Sequence, residues 1–278
     1  MTILDGKQTA LKISERIKEE VQKCSRTPRL DILLVGSDFG SQKYVEMKSK
    51  KAQELGIQCN VHNFEDGVTE NELISLIKEL NEDINVDGVM VQLPLPGDIN
   101  ASNILEKISP SKDVDGLTSI NLGKLFKNDP SAIAPATAKG VLELLKEYDI
   151  KIDGKDAVVI GRSDIVGLPT SALLQNENAT VTVCHSHTEY LKEICKRADI
   201  LVVGIGKPEY IDKEYVKEGA VVIDVGTNKN EEGKLVGDVN FESVKDIVGY
   251  ITPVPGGVGP MTIVCLLSNL VDAYKKNV

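Results

Sequence analysis

One lysine stands in a chemically awkward place. In the segment from about Ser41 to Leu55, Val45, Lys48, Ala52 and Leu55 recur at i, i+3, i+7 and i+10, the spacing of one helix face. Lys48 therefore sits on the stripe that turns inward. Tyr44 precedes it by one turn, close enough for the two side chains to share a site. A lysine on an inward face is costly unless its amine reaches water, a partner or a cleft. Partial burial also lowers its pKa, which suits it to proton transfer near neutral pH. The same pattern fits a snorkelling lysine whose stem merely covers apolar surface, and the helix alone does not separate the two.

Three further segments offer polar groups. Gln92 ends an apolar run and precedes Leu93-Pro94-Leu95-Pro96. Ligands of open α/β sheets collect outside the carboxyl ends of strands, where a side-chain amide both donates and accepts. Asp115 lies in Lys112-Asp113-Val114-Asp115-Gly116. Its carboxylate could accept parallel N–H bonds from an amino-pyrimidinone ring, or it could be an ordinary Asp-Gly turn residue. Thr252 to Thr262 holds three glycines and three prolines. That density describes a rigid irregular loop able to approach a ligand closely, with Pro260 near the first turn of the helix it opens.

A dinucleotide site is expected further on. The strand Ala157–Ile160 runs into Gly161-Arg162-Ser163-Asp164-Ile165-Val166-Gly167 and then into helix-forming residues. A strand, a glycine turn and a helix N-terminus present N–H groups and a positive dipole end to a pyrophosphate. The spacing departs from G-x-G-x-x-G, so a tight βα turn without a ligand also fits. NAD-specific sites carry an acid at the end of the next strand. Here that strand ends in Cys184-His185-Ser186-His187-Thr188, and the first acid is Glu189. Hydroxyl and imidazole groups with Arg162 suit a 2′-phosphate, hence NADP. Asp164 works against tight binding by placing a negative charge nearby.

The elements that position these residues alternate between β-branched runs and helical patterns, the mark of an α/β fold with a largely parallel sheet. Ala10, Ile13, Ile17 and Val21 form a helical stripe, and Leu30–Val35 and Val86–Leu93 read as buried strands. Thr69 and Glu72 form a capping box for a helix carrying Leu73, Leu76, Ile77 and Leu80. A second run has strands at Ala157–Ile160, Thr180–Cys184, Ile200–Val203 and Ala220–Val225, with a shorter one near Ile247–Ile251. Ser109 to Thr137 is less regular and holds the boundary. Two domains around a cleft are expected. Residues 1–138 and 258–278 form a catalytic α/β domain and 139–257 a Rossmann-type domain, with the helix Met261–Tyr274 packing back on the first.

Composition narrows the function classes. Apolar residues are 41% and charged residues 27% of the 278, as in globular proteins, and no run reaches the ~18 apolar residues of a membrane helix. The N-terminus shows neither a signal-peptide nor a transit-peptide pattern, which makes the cytoplasm the expected compartment. A net charge of −10 argues against nucleic acid as a partner. The five scattered cysteines form no C-x-x-C pair, and Asp113 with Asp115 is a weak metal candidate, so no metal is expected.

Taken together these segments resemble the methylenetetrahydrofolate dehydrogenase/cyclohydrolase family, the FolD type. The resemblance rests on Ser41-x-x-Tyr44-Val45-x-x-Lys48-x-Lys50, Val91-Gln92-Leu93-Pro94-Leu95-Pro96, Lys112-Asp113-Val114-Asp115-Gly116-Leu117, Gly161-Arg162-Ser163-x-x-Val166-Gly167-x-Pro169, Gly206-Lys207-Pro208 and Pro253-x-Pro255-Gly256-Gly257-Val258-Gly259-Pro260-Met261-Thr262. They occur in the family's order over nearly the whole chain. The resemblance implies oxidation of 5,10-methylenetetrahydrofolate with NADP⁺ and then hydrolysis to 10-formyltetrahydrofolate in one cleft, by a homodimer joined through the nucleotide domain. It implies that Lys48 manages proton transfer, Gln92 positions Lys48, Tyr44 stacks near the folate, Asp115 holds the pterin, and Pro255, Gly256 and Gly257 line the folate pocket. The implied cofactor contacts are Gly161, Arg162, Ser163, Val166, Gly167, His185, Ser186 and Thr227. Departures from the family pattern are Ala136 and Ala138 in Pro135-Ala136-Thr137-Ala138, Asp164, Leu168, Thr227 and Asn240.

Rival readings are weaker. The Tyr-x-x-x-Lys pair of short-chain dehydrogenases follows their glycine turn, whereas Tyr44 and Lys48 precede Gly161 by more than a hundred residues. A shikimate-type dehydrogenase gives no reason for the Pro-Gly-Gly loop. A non-enzymatic NADP sensor would bind cofactor and turn over no folate.

Overall fold

The computed structural model of the chain describes residues 1–97 and 99–277. In chain order the elements are β1 (Thr2–Ile3), α1 (Gly6–Gln22), β2 (Arg29–Val35), α2 (Phe39–Glu54), β3 (Gln58–Phe64), α3 (Glu70–Glu82), β4 (Gly88–Val91), α4 (Ala101–Leu105), α5 (Ser119–Phe126) and α6 (Ala136–Glu147). There follow β5 (Asp156–Ile160), α7 (Gly167–Asn176), β6 (Thr180–Cys184), α8 (Leu191–Cys195), β7 (Ile200–Val203), β8 (Val221–Asp224), β9 (Asn228–Lys229), β10 (Leu235–Val236), α9 (Phe241–Val244), β11 (Tyr250–Ile251) and α10 (Val258–Asn277). They divide into two compact units, Lys12–Ala136 with Ile263 onward, and Met1–Leu11 with Thr137–Thr262.

The first unit is built on a parallel sheet in the order β3-β2-β4. The central strand β2 buries Leu30, Ile32 and Leu33 completely, which accounts for its apolar character, and its one internal charge, buried Asp31, is paired with Arg29 and His62. The edge strand β3 is half-exposed, and its Gln58-Cys59-Asn60-Val61-His62-Asn63-Phe64 shows no apolar run from which sequence could announce it. α3 opens on the expected capping box, with Glu72 N donating to Thr69 Oγ1 (3.3 Å) and Thr69 N donating to Glu72 Oε2 (2.8 Å). Its Leu73, Ile77 and Leu80 pack against Leu33, Val35, Val89 and Val91. α10 from Ile263 onward lies in this unit, as the fold reading required. Leu267, Leu270 and Val271 are buried, each leucine contributing about 1.5–3 kcal/mol. Gly88 leaves the space that Leu270 fills, since a Cβ there would lie 2.5 Å from Leu270 Cδ1. Asn269 Nδ2 donates to the carbonyls of Val114 and Ala134, both at 2.9 Å.

The second unit has a six-stranded parallel sheet, β1-β11-β8-β7-β5-β6, and a small antiparallel β10-β9 hairpin. β7 and β8 are buried along their whole length. Its membership differs from the boundaries read from sequence, which gave residue 1 onward to the first domain. Met1–Leu11 groups with the nucleotide unit because β1 pairs with β11, Asp5 N donates to Tyr148 Oη (2.8 Å), and Gly6 packs on the Gly257 backbone, where a Cβ would lie 1.8 Å from the carbonyl oxygen. The other divisions fall at 136/137 and 262/263 rather than 138/139 and 257/258. The stretch read as irregular, Ser109 to Thr137, contains α5 and the start of α6.

Candidate functional site

The first constellation lies in the unit of Lys12–Ala136. β2 ends at Val35, and Gly36 turns the chain at φ +80°, where a Cβ would lie 2.2 Å from Asp66 Oδ1. Asp38 then starts α2, its Oδ2 accepting from Ser41 N at 2.7 Å. α2 buries Ser41, Val45, Lys48 and Ala52, the face predicted from spacing. Lys48 is 6% exposed, so it does not stand out into bulk water as a snorkelling lysine does.

The Lys48 Nζ donates to Gln92 Oε1 at 3.0 Å and makes a weaker 3.7 Å contact with Met90 Sδ. Met90 and Gln92 sit at i and i+2, so a strand geometry presents both to the same side. Gln92 is itself fixed, with its backbone N donating to Leu33 O (2.9 Å) and its Nε2 to Leu93 O (2.7 Å), which leaves Oε1 for the lysine. Burial lowers the pKa of Lys48, and the negative charge of Asp115 acts the other way. Burial raises the pKa of half-buried Asp115, opposed by Lys48 and reinforced by Asp113. Both groups are thus pushed toward their neutral forms, the condition for moving protons near neutral pH.

Asp115 is held in place by its neighbours. Lys112 is buried, with its Nζ donating to the carbonyls of Leu80, Asn81 and Asp83 (2.9, 2.8 and 2.7 Å) at the end of α3. Asp113 is 1% exposed. Its Oδ1 accepts from the amides of Gly116 and Leu117, and its Oδ2 from Thr118 N, Thr118 Oγ1 and Asn121 Nδ2. Gly116 turns the loop at φ +74°, and a Cβ there would lie 2.6 Å from Ile133 O. With Asp113 engaged in this way, the paired-aspartate metal reading finds no support. Among the described residues no three His, Cys, Asp or Glu side chains are grouped to hold a metal.

The structure therefore brings together Lys48, Gln92 and Asp115, with Tyr44 one turn away and 39% exposed. Pro255, Gly256 and Gly257 belong to the other unit. There Gly256 and Gly257 are buried, and Gly256 O accepts from Lys7 N at 3.2 Å. Sequence reading missed Met90 and the anchoring role of Asp113. The available signal was Asp113 followed by Gly116-Leu117-Thr118, an acceptor placed before a turn that exposes successive amides.

The second constellation lies at the carboxyl ends of β5 and β6. Gly161 adopts φ +127°, and a Cβ there would lie 2.5 Å from Gly204 O. A Cβ at Gly167 would lie 2.2 Å from Gly161 O, so both glycines are required by close backbone approach. Ser163 Oγ accepts from Val166 N (3.2 Å) and Gly167 N (3.5 Å), which ties the turn to the start of α7. Arg162, Asp164 and Leu168 are exposed around this turn. After β6, His185 N donates to Thr188 Oγ1 (2.8 Å) and His187 N to His185 Nδ1 (3.1 Å). That tight turn leaves Ser186 exposed and holds no acid. Thr227 is exposed just beyond β8. A compact glycine turn, the N-terminus of a ten-residue helix and exposed Arg162 and Ser186 fit a phosphorylated dinucleotide.

Behind this edge is a pair of buried acids. Asp224 accepts from the amides of Gly226, Asp238 and Val239 (2.9, 3.0 and 2.9 Å), yet burial pushes its pKa up to about 6. Asp238 is fully buried and bonds to the loop after β7.

Residues 4–115 match the tetrahydrofolate dehydrogenase/cyclohydrolase catalytic domain, and residues 135–278 match the NAD(P)-binding domain of the same family. The Bifunctional protein FolD of Ligilactobacillus salivarius is 52% identical over 280 residues, covering 100% of this chain and 98% of the relative. The crystal structure of the Campylobacter jejuni bifunctional enzyme FolD superposes with a TM-score of 0.98 at 47% identity, covering 100% of both chains. The Trypanosoma brucei dehydrogenase-cyclohydrolase, solved with NADP cofactor and inhibitor, gives 0.94 at 39% identity over 99% of this chain and 98% of its own.

Proposed function

The chain belongs to the tetrahydrofolate dehydrogenase/cyclohydrolase family, and from that premise we propose that it oxidises 5,10-methylenetetrahydrofolate with NADP⁺ and hydrolyses the methenyl product to 10-formyltetrahydrofolate. The observation that carries the reading is the buried Lys48 amine, held by Gln92 and depressed in pKa beside Asp115. NADP⁺, when bound, supplies the acceptor for the hydride lost from the methylene carbon. Arg162, Ser186 and His185 would hold its 2′-phosphate end, and the Gly161–Gly167 turn, shaped by Val166 and Ser163, would receive the pyrophosphate. Thr227 adds a hydroxyl beyond β8.

In the hydrolytic step water attacks the methenyl carbon. Neutral Lys48 takes the proton that the attacking water loses. The carbon–N5 bond then breaks, the carbinol O–H loses its proton, and N5 gains one, so the overall reaction releases one proton to solvent. The ammonium form of Lys48 is held by Gln92 Oε1, and its charge is balanced by Asp115. Asp115 accepts N–H bonds from the pterin, and Tyr44 stacks on the folate. The enzyme acts in the cytoplasm as a homodimer, which sedimentation at micromolar concentration checks.

Absorbance of the methenyl product, followed first with NADP⁺ and then with NAD⁺, tests the first reaction. Turnover with NADP⁺ is expected, and no turnover with either coenzyme sinks the dehydrogenase reading. Lys48→Met should lower hydrolysis by about 10²–10⁴-fold while NADP⁺ still binds. Wild-type hydrolysis in that variant refutes the role of the lysine.

A further inference from the structure

Asp238 contributes nothing to the chemistry described above, yet its carboxylate accepts four hydrogen bonds. It is fully buried. Its Oδ2 accepts from Ile205 N (2.6 Å) and Gly206 N (3.0 Å), and its Oδ1 from Lys207 N (2.8 Å) and Asn228 Nδ2 (2.8 Å). Three successive amides of an irregular loop, with no strand to pair with, thus converge on one charged acceptor. The three loop amides are 31 to 33 residues away in sequence, so this is a tertiary clamp rather than a local turn. Asp238 is in turn held by Asp224, which accepts its backbone N–H at 3.0 Å. Two glycines make room for the pair. A Cβ at Gly226 would lie 2.3 Å from Asp238 Cγ, and one at Gly237 would lie 1.8 Å from Asp224 Oδ2.

The clamped loop leaves the carboxyl end of β7 directly after Gly204, whose carbonyl oxygen abuts Gly161 of the phosphate turn. Gly204 N donates to Ile160 O at 2.9 Å, which ties this loop to the end of β5. Dinucleotides lie across the carboxyl ends of such strands. We propose that Asp238 is a positioning residue for the cofactor, fixing the Ile205–Lys207 loop against the β5 turn from behind without touching the dinucleotide. This rests on the dehydrogenase reading. The clamp serves cofactor binding and the oxidative step, not hydrolysis, because Lys48, Gln92 and Asp115 belong to the other unit.

The test is Asp238→Asn in the whole protein. The amide nitrogen replaces one acceptor oxygen, so two of the four donors then face another donor. NADP⁺ binding by calorimetry should weaken by about tenfold or more, the scale of losing one or two such bonds. KM for NADP⁺ should rise in parallel, KM for methylenetetrahydrofolate should stay unchanged, and hydrolysis of methenyltetrahydrofolate supplied directly should remain within about twofold. NADP⁺ binding within twofold of wild type overturns the proposal. So does a parallel fall in hydrolysis, which marks general structural damage. If Asp238→Asn does not fold, Asn228→Ala removes one partner of the clamp and should weaken NADP⁺ binding about threefold, and unchanged binding there overturns the proposal equally. Wild-type protein that neither binds nor uses NADP⁺ defeats the dehydrogenase reading instead.

Discussion

Replacing Asp113 with asparagine removes a charge from the anchor of the Asp115 loop. The wild-type carboxylate takes five donors, two on Oδ1 and three on Oδ2. The amide nitrogen would best replace Oδ1, because that choice strands two donors rather than three. The two stranded groups are the backbone N–H of Gly116 and Leu117, at 2.9 and 3.2 Å in the wild type. A buried donor left unsatisfied costs about 1–3 kcal/mol, so the pair costs about 2–6 kcal/mol. Relief from burying a charge offsets part of this, and a net loss of about 3 kcal/mol is expected. In urea that is a fall in midpoint of roughly 1–2 M. The functional consequence follows from position. Asp115 lies two residues on, and a loosened loop lets its carboxylate drift from Lys48, so hydrolysis should fall along with stability. Amide hydrogen exchange locates the effect, with Gly116, Leu117 and Thr118 losing protection first. A variant with the wild-type midpoint and unchanged exchange at those three amides would refute the claim that the carboxylate holds the loop.

Two further outcomes follow from the nucleotide unit. Burial lifts Asp224 from 3.8 to about 6, so between those values the native state holds more protons than the unfolded chain. The stability this group contributes is present below pH 3.8 and is lost, by about 3 kcal/mol, as pH rises to about 6. Asp224→Asn cannot titrate, so the urea-midpoint difference between wild type and variant should change across pH 4 to 6, and a constant difference contradicts the assignment. Gly161→Ala places a Cβ 2.5 Å from a backbone oxygen at φ +127°. About 1–3 kcal/mol of strain and a loss of NADP⁺ affinity of at least about tenfold are expected, read by calorimetry, and wild-type affinity would show that the turn tolerates a side chain.

Much of the site was legible in the sequence because local rules govern it. Helical spacing alone put Lys48 on the inward face with Val45 and Ala52, where α2 places it. Thr69 and Glu72 announced the start of α3, since a capping box is decided within four residues. The apolar runs within β2, β5, β7 and β8 are legible because strands covered on both faces are apolar over most of their length. β3 escaped notice for the converse reason, as a half-exposed edge strand has no such run.

Only the tertiary structure decided the rest. Whether the Lys48 amine snorkels or is buried depends on where Met90 and Gln92 fall in the neighbouring strand, and 42 and 44 residues separate them from it. Which aspartate of Asp113-Val114-Asp115 anchors and which acts on Lys48 is invisible in the motif, and follows from the donors that the turn and Asn121 aim at Asp113. Met1–Leu11 joined the nucleotide unit through pairing with β11, a contact that no local pattern encodes. The sequence by itself determined which residues could do the chemistry. Desolvation and long-range hydrogen bonds, which exist only once distant strands and loops meet, decided their protonation and orientation.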